Sequence, residues 1–166
     1  MSESSSGATA PPGSVPPDPV RVTWCGEGRY SVSRPGAPPV VIDGAREAGP
    51  GPVELLLGSL GACSAIDVVD YLVKRRTPAS RLEVVVESER NATPPRRVLW
   101  VRLDFEIEGE GIDAEHAERS IALALRSYCS VAATLSPDVA IASRLVLNGE
   151  RRTEVHQARG ASASNG

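Results

Sequence analysis

The sequence from Val53 to Arg76, VELLLGSLGACSAIDVVDYLVKRR, is the longest helix candidate in the chain, and the other predicted elements lie on either side of it. Pro52 suits the first turn of a helix, and Pro78 stops the helical pattern soon after Arg76. Leucine, cysteine and aspartate recur at intervals of three and four, and several Gly and Ala residues permit the close approach of another backbone. A helix that is apolar on several sides is usually buried, so we predict a central helix.

The flanking sequence predicts strands before and after this helix, and a second helix beyond them. Val98–Glu108 is the clearest strand, because apolar and charged residues alternate along it. Asp113 is a good N-cap for the second helix, which is expected to reach Tyr128 and to be followed by a short helical turn. The other predicted strands are Val20–Cys25, Arg29–Ser33, Pro38–Asp43, Leu82–Arg90 and Val139–Leu147. This order of elements predicts an α+β domain with mostly antiparallel sheet.

The composition along the chain predicts three segments. Residues 1–19 carry Ser, Pro and Gly with almost no core-forming side chains, so this segment is expected to be disordered. Residues 20–148 are expected to form one domain, and residues 149–166 a flexible C-terminal tail. Aromatic residues make up only 4% of the chain, so the core must be built from Val, Leu, Ile and Ala.

The overall charge and hydropathy exclude several classes of function. A net charge of −3 disfavours a nucleic-acid partner. The chain has no run of about 18 continuous apolar residues, as a membrane span needs, and no recognisable signal peptide. We therefore expect a cytoplasmic protein, in a reducing compartment where a permanent structural disulfide is improbable.

Cys63 and Cys129 are the residues that bear most directly on function, because each lies on a stretch predicted to be an apolar helix. Free cysteines are common as small packing residues in cores, and that interpretation fits both positions. Alternatively, helices that pack together bring two thiols within disulfide range, so that one is oxidised and the other resolves it. The sequence alone leaves both alternatives open.

A reactive Cys63 requires a thiolate, and the sequence offers few groups to stabilise one. Cys63 lies in mid-helix, where the dipole at a helix N-terminus does not act. Asp67, one turn further on, has the wrong charge to stabilise a thiolate. Arg29 in the N-terminal hairpin and Arg126, one turn before the second cysteine, are the candidate cations.

The remaining candidate residues have simpler interpretations. Glu54 lies nine residues before Cys63, on the opposite helix face and about 13 Å away along the axis. As a catalytic residue it would reach a thiol only in another subunit, and we favour the interpretation as a charge at the helix N-terminus. Cys25 is expected to be a bystander on a strand, and His116 a surface residue of the second helix. No paired Cys or His spacing indicates a metal site, and no P-loop or dinucleotide-binding turn indicates a cofactor.

Two motifs resemble those of a known family. The segment Gly51–Val69, which contains Gly-Ala-Cys63-Ser-Ala-Ile-Asp67, resembles the central helix of the osmotically inducible protein C and organic hydroperoxide resistance family (OsmC/Ohr). Tyr128-Cys129-Ser130-Val131 resembles the second cysteine motif of that family. With the strands between and around them, the two matches cover roughly residues 20–148.

This resemblance implies a fold, an activity and a set of partners. The fold would be an intertwined α+β homodimer with antiparallel sheets around two central helices. The activity would be that of a thiol peroxidase acting on organic hydroperoxides, in which Cys63 is oxidised to a sulfenic acid and forms a disulfide with Cys129. A dithiol such as dihydrolipoamide would restore the pair.

The chain departs from the better-known branches of this family at two positions. Those branches use an Arg in a Gly-Gly-Arg turn, for which Gly28-Arg29 is the nearest equivalent here. They also place a Glu directly after the helix-starting Pro, where this chain has Val53 with Glu54 following. The pattern is similar to that of a less characterised OsmC-like branch. The alternative is a dimeric small-molecule-binding protein whose cysteines line an interfacial cleft without reacting.

Overall fold

The computed structural model of the protein describes residues 18–151 and, for the backbone alone, residues 155–159. The segment 1–19, expected to be disordered, lies almost entirely outside the described residues, and its disorder therefore stays a prediction. The chain divides into two compact units, 1–52 and 53–166, which are described separately below.

The first unit is a three-stranded antiparallel sheet with the order β1-β2-β3. Its strands are β1 (Arg21–Gly26), β2 (Arg29–Ser33) and β3 (Val40–Asp43). The hairpin predicted between the first two strands is confirmed. It turns through Gly26, Glu27 and Gly28, which all have positive φ, so glycine at two of the three positions makes the turn possible.

Asp43, at the end of β3, organises the Gly- and Pro-rich loop that follows it. Its side chain is almost fully buried, and its carboxylate accepts hydrogen bonds from the backbone N–H groups of Ala45, Glu47 and Ala48. These bonds hold the pKa of Asp43 below its usual range, and the bond from Ala48 has the largest effect on that pKa. The loop is therefore held in place by one carboxylate.

The second unit contains the helices and a five-stranded sheet. The helices are α1 (Pro52–Lys74), α2 (Ala114–Leu123) and α3 (Ser130–Thr134). The strands are β4 (Arg81–Arg90), β5 (Val98–Glu108), β6 (Ala140–Leu147), β7 (Glu150–Arg151) and β8 (Val155–Arg159). The predicted α+β class is thus confirmed, and the long helix and most strands agree with the predicted bounds to within two residues.

The sheet of the second unit contains one parallel pair that the sequence analysis did not anticipate. Strand β4 pairs antiparallel with β5, but β5 pairs parallel with β6 over eight residues, from Trp100 with Ala140 to Ile107 with Leu147. The parallel pairing follows from the helical segment between β5 and β6, because parallel neighbours need a long crossover connection. The prediction of a mostly antiparallel sheet holds for the other pairs.

The core of the second unit lies on one face of β5. Val101, Leu103, Phe105 and Ile107 are fully or almost fully buried, as the alternating pattern of the strand predicted. Leu99 was expected to share this face, but it lies at the start of the strand and is 39% exposed. The helices α1 and α2 and strand β6 complete the core with Leu60, Val68, Leu72, Ala117, Ile121, Ile141 and Leu145.

Two strands lie within the segment 149–166 that was predicted to be a flexible tail. Strand β7 pairs with β6 at Val146 and Leu147, and strand β8 also pairs antiparallel with β6. Part of this segment therefore belongs to the sheet. Its polar composition did not reveal this, because the strands contribute backbone pairing to an existing edge.

Helix α1 buries only one narrow side. Within the chain, Leu60, Gly61, Ser64, Val68 and Leu72 are its buried residues. By length and composition this helix would be able to cross a membrane, although the central helix of a protein without a membrane span has the same properties. Only 28% of its most apolar window is buried, which leaves an apolar face uncovered in the single chain.

Candidate functional site

Cys129 lies at a change of helix type. Helix α2 was expected to continue to Tyr128, but it ends at Leu123. The chain then passes into a π-helical turn, Ala124–Tyr128. The N–H of Cys129 closes this turn by donating to the carbonyl of Ala124 at 2.9 Å. Cys129 itself adopts an extended conformation and forms the N-cap of α3, where its Sγ accepts the N–H of Ala132 at 3.3 Å. The cysteine is thereby fixed in the core.

Cys63 lies near the middle of α1 and is half-buried. The next residue, Ser64, is fully buried, and its hydroxyl donates to the carbonyl of Leu60 at 2.8 Å. One turn earlier, a Cβ added at Gly61 would approach a methyl group of Val86 to 3.0 Å. The small residue at position 61 therefore lets α1 approach β4 closely. This close approach influences how far the side chain of Cys63 is buried in the core.

The thiol groups of Cys63 and Cys129 lie side by side. The Cys63 thiol and the Ser64 hydroxyl lie close enough to the Cys129 side chain to influence its pKa, and Cys25, Cys63 and Cys129 are all free thiols. Burial raises the pKa of Cys129, and the neighbouring Cys63 thiol raises it further, while the hydrogen bond from the N–H of Ala132 and the nearby Ser64 hydroxyl lower it. Cys129 is therefore held as a thiol beside Cys63.

Of the side chains predicted to assist the thiols, none is among the groups that act on Cys129. Arg126 is exposed on the π-helical turn. Arg29 belongs to the first unit, where its guanidinium pairs with Glu27. Glu54 is exposed in the first turn of α1, as a helix N-terminal charge should be. A catalytic role for Arg29 or Glu54 stays a prediction.

Asp67 is the acidic group nearest to Cys63 along α1. Its side chain is half-buried, and its Oδ2 is buried without a hydrogen-bond partner among the described residues. Burial raises the pKa of Asp67, and the charge of Asp70 adds to this effect. From the sequence, Asp67 was interpreted only as a fixed negative charge, because burial is not visible there. Ser64 was also missed, although its position next to Cys63 was a signal.

The remaining residues considered in the sequence analysis lie elsewhere. Cys25 is exposed on β1, where its thiol donates to the carbonyl of Thr23 at 3.4 Å. His116 is half-buried near the start of α2, and its Nε2 lies 2.5 Å from the Arg75 guanidinium. Within the part of the chain that the structure describes, no three His, Cys, Asp or Glu residues form a group able to hold a metal ion.

Two apolar cavities lie near α3 and the first half of α1. One has a volume of about 270 Å³ and includes Ser130, which follows Cys129 directly. The other, of about 280 Å³, extends to Arg96 and Arg97. The two cavities share Leu56 and Leu135 and are therefore adjacent. Together they form an apolar groove that begins beside the second cysteine.

Comparison with known proteins agrees with this fold. Residues 44–144 match the family model described as OsmC-like protein. The Escherichia coli K12 protein YhfA is 36% identical over 103 residues, which cover 61% of this chain and 77% of YhfA. Since the family model spans more than half of the chain, the protein belongs to the OsmC-like family.

Solved structures of this family have the same fold. The OsmC-like protein from Mycoplasma pneumoniae has a TM-score of 0.69 at 16% identity, covering 80% of this chain and 97% of that one. The organic hydroperoxide resistance protein OhrB of Bacillus subtilis has a TM-score of 0.54 at 14% identity, covering 77% and 98%. At these identities the likeness concerns the fold alone.

Proposed function

We propose that this protein is a cysteine-based thiol peroxidase that reduces organic hydroperoxides. The observation that carries the proposal is the proximity of the Cys63 and Cys129 thiols, since the thiol of Cys63 on α1 influences the pKa of Cys129 at the end of the π-helical turn. Membership of the OsmC-like family supports it, because a protein of the same fold is named an organic hydroperoxide resistance protein.

The two thiols differ in a way that suits two different roles. Cys63 is the more accessible, and Cys129 is only 3% exposed. In the proposed reaction the Cys63 sulfur attacks the peroxide, the O–O bond breaks, and a sulfenic acid and an alcohol form. Cys129, kept protonated by burial, then attacks the sulfenic sulfur, so that a disulfide forms and water leaves.

A complete cycle requires a reductant, and a dithiol such as dihydrolipoamide would convert the disulfide back to two thiols. We place this cycle in the cytoplasm, since a reducing compartment keeps such a pair in the reduced form between turnovers. The apolar groove that begins at Ser130 offers a site for the organic part of the hydroperoxide.

The same groove also fits the alternative function, a small-molecule-binding protein with unreactive cysteines. The two functions differ in one respect that is simple to measure, because binding leaves the cysteines unchanged whereas peroxidase chemistry oxidises them.

The test is to add one equivalent of cumene hydroperoxide to the reduced protein. We expect a disulfide between Cys63 and Cys129, seen as the loss of two hydrogen atoms in the intact mass and as a linked peptide after proteolysis. Dihydrolipoamide should restore the original mass. Binding of the hydroperoxide with unchanged cysteines would support the alternative and contradict the peroxidase.

We also propose that the protein is a homodimer in which α1 packs against a second copy. The uncovered face of this helix carries the exposed apolar residues Ile66, Val69 and Val73, which follow one another at intervals of three and four. A contiguous apolar face of this kind is rarely left in water, since its burial is favourable. A second copy supplies an apolar face of matching character, as expected for a two-fold interface.

Substitution of Ile66 tests the dimer. Ile66 is 62% exposed in the single chain, so the Ile66→Asp variant should fold normally. In the dimer it would bury an unpaired carboxylate at the interface, at a cost of roughly several kcal/mol. We expect light scattering to report a dimer for the parent protein and a monomer for the variant at equal concentration. Val85→Asp, on the exposed face of β4 between Glu83 and Glu87, is the matched control and should remain dimeric. A monomeric parent protein would refute the proposed interface.

A further inference from the structure

Asp67 carries an unusual polar group. Among the described residues, only Asp67 Oδ2 and Asn91 Oδ1 are buried side-chain oxygens without a hydrogen-bond partner. An unpaired buried oxygen is unfavourable, and a charged one is more so, so its presence calls for an explanation. Asn91 belongs to the turn between β4 and β5, whereas Asp67 lies one helical turn after Cys63.

The position of Asp67 on α1 places it next to the reacting sulfur. It follows Cys63 by four residues, and side chains at this spacing are neighbours on a helix surface, with Cβ atoms about 5–6 Å apart. No hydrogen bond joins the carboxyl group to Cys63 in the described part of the chain. A separation of this size leaves room for one oxygen of a bound hydroperoxide to contact both side chains.

The surroundings of Asp67 favour its protonated form. Burial is the main cause that raises its pKa, and the negative charge of Asp70 adds to it, while Lys74 acts in the opposite direction. Both of these charged residues belong to α1, and within the described ranges no charged group of another element is among those that act on Asp67. A protonated carboxyl group does not repel a thiolate, and it donates a hydrogen bond.

We propose that Asp67 is the proton donor to the leaving oxygen when Cys63 attacks a hydroperoxide. This inference rests on the proposed peroxidase function and names a residue that the sequence analysis had set aside for its charge. In the step, the thiolate electron pair forms the S–O bond, and the O–O bond breaks towards the leaving oxygen. The carboxyl proton passes to that oxygen, so that the products are a sulfenic acid, an alcohol and the Asp67 carboxylate.

The proton balance closes over the rest of the cycle. When Cys129 attacks the sulfenic acid, the S–O bond breaks, and the departing hydroxide takes the Cys129 proton to leave as water. Asp67 regains its proton from solvent. The thiol proton of Cys63 leaves to solvent before the attack, so each cycle takes one proton from solvent and returns one.

The test compares the parent protein with Asp67→Asn, an isosteric change that removes the transferable proton. Single-turnover rates are measured with two reagents: cumene hydroperoxide, whose leaving group needs a proton, and iodoacetamide, whose leaving iodide does not. Both rates are measured over the same range of pH, and the peroxide rate is divided by the alkylation rate at each pH, so that differences in thiol ionisation cancel. We expect the peroxide rate of the variant to be about 100-fold lower and the alkylation rate to be nearly equal.

Asp70→Asn is the second variant, because it acts on Asp67 only through charge. Removing the negative charge of Asp70 lowers the pKa of Asp67, so the decline of the peroxide rate at high pH should begin at a lower pH, with the maximum rate unchanged. If Asn at position 67 prevents folding, Asp67→Ala provides the same comparison between the two reagents.

The outcomes separate this inference from the proposed function. If the parent protein forms no disulfide with hydroperoxides, the peroxidase itself is refuted, and the role of Asp67 falls with it. If the parent protein reacts and the variants at position 67 react equally fast with cumene hydroperoxide, Asp67 is not the donor and the peroxidase stands. An equal loss with both reagents would indicate a structural role and would also overturn the inference.

Discussion

Cys63→Ser should abolish hydroperoxide reduction, lowering the rate by about a thousandfold or more. A hydroxyl group at this position is not ionised near neutral pH and is a far weaker nucleophile than a thiolate. A thousandfold loss corresponds to about 4 kcal/mol of activation free energy, which is the scale expected when the attacking atom is removed. The measurement is the consumption of cumene hydroperoxide in the presence of excess dithiol.

Two other cysteine variants make this result interpretable. Cys25→Ser changes an exposed thiol in the first unit and should react at the parental rate. Cys129→Ser should still reduce one equivalent of peroxide, but the Cys63 sulfenic acid should then accumulate and react with dimedone. Peroxide consumption by Cys63→Ser at the parental rate would be incompatible with the mechanism.

Phe105→Ala should lower the free energy of unfolding by about 3–5 kcal/mol. Phe105 is the one phenylalanine of the chain and is fully buried in the middle of β5. It lies between Val84 on β4 and Leu145 on β6, in a core built otherwise from aliphatic residues. Since small domains are stable by only about 5–15 kcal/mol, this loss would threaten folding.

Urea unfolding at a fixed protein concentration measures this effect, because a dimer links stability to concentration. Val85→Ala is the matched control: it shortens a 44% exposed residue on the neighbouring strand, and its effect should stay within about 0.5 kcal/mol. A loss below about 1 kcal/mol for Phe105→Ala would show that the core refills the space, contrary to the close packing expected around a fully buried ring.

The elements predicted best from the sequence were those with local causes. The alternation along β5 correctly placed Val101, Leu103, Phe105 and Ile107 in the core, since strand periodicity is a property of the strand itself. Asp113 was also correctly predicted as an N-cap, and its carboxylate accepts the N–H of His116. In both cases a few neighbouring residues determine the outcome.

The features that were not predicted from the sequence depend on tertiary structure. The proximity of Cys63 and Cys129 depends on how α1 packs, and their separation of 66 positions in the sequence does not predict it. The charge of Asp67 was judged from its chemical type, whereas burial determines its protonation. Strand β8 was missed because its sequence is polar and its stabilisation comes from the edge of β6.

The π-helical turn before Cys129 makes the thiol pair sensitive to chain length. A π turn holds one residue more between its bonded groups than an α turn does. Removal of a single residue, such as exposed Ser127, would permit ordinary α-helical bonding and swing every later side chain by about 100° around the helix axis. The sulfur of Cys129 would then point away from its partner. The approach of the two sulfurs thus depends on the number of residues in this turn. A homologue that lacked one residue of the turn would keep both cysteines but would be unable to join them in a disulfide.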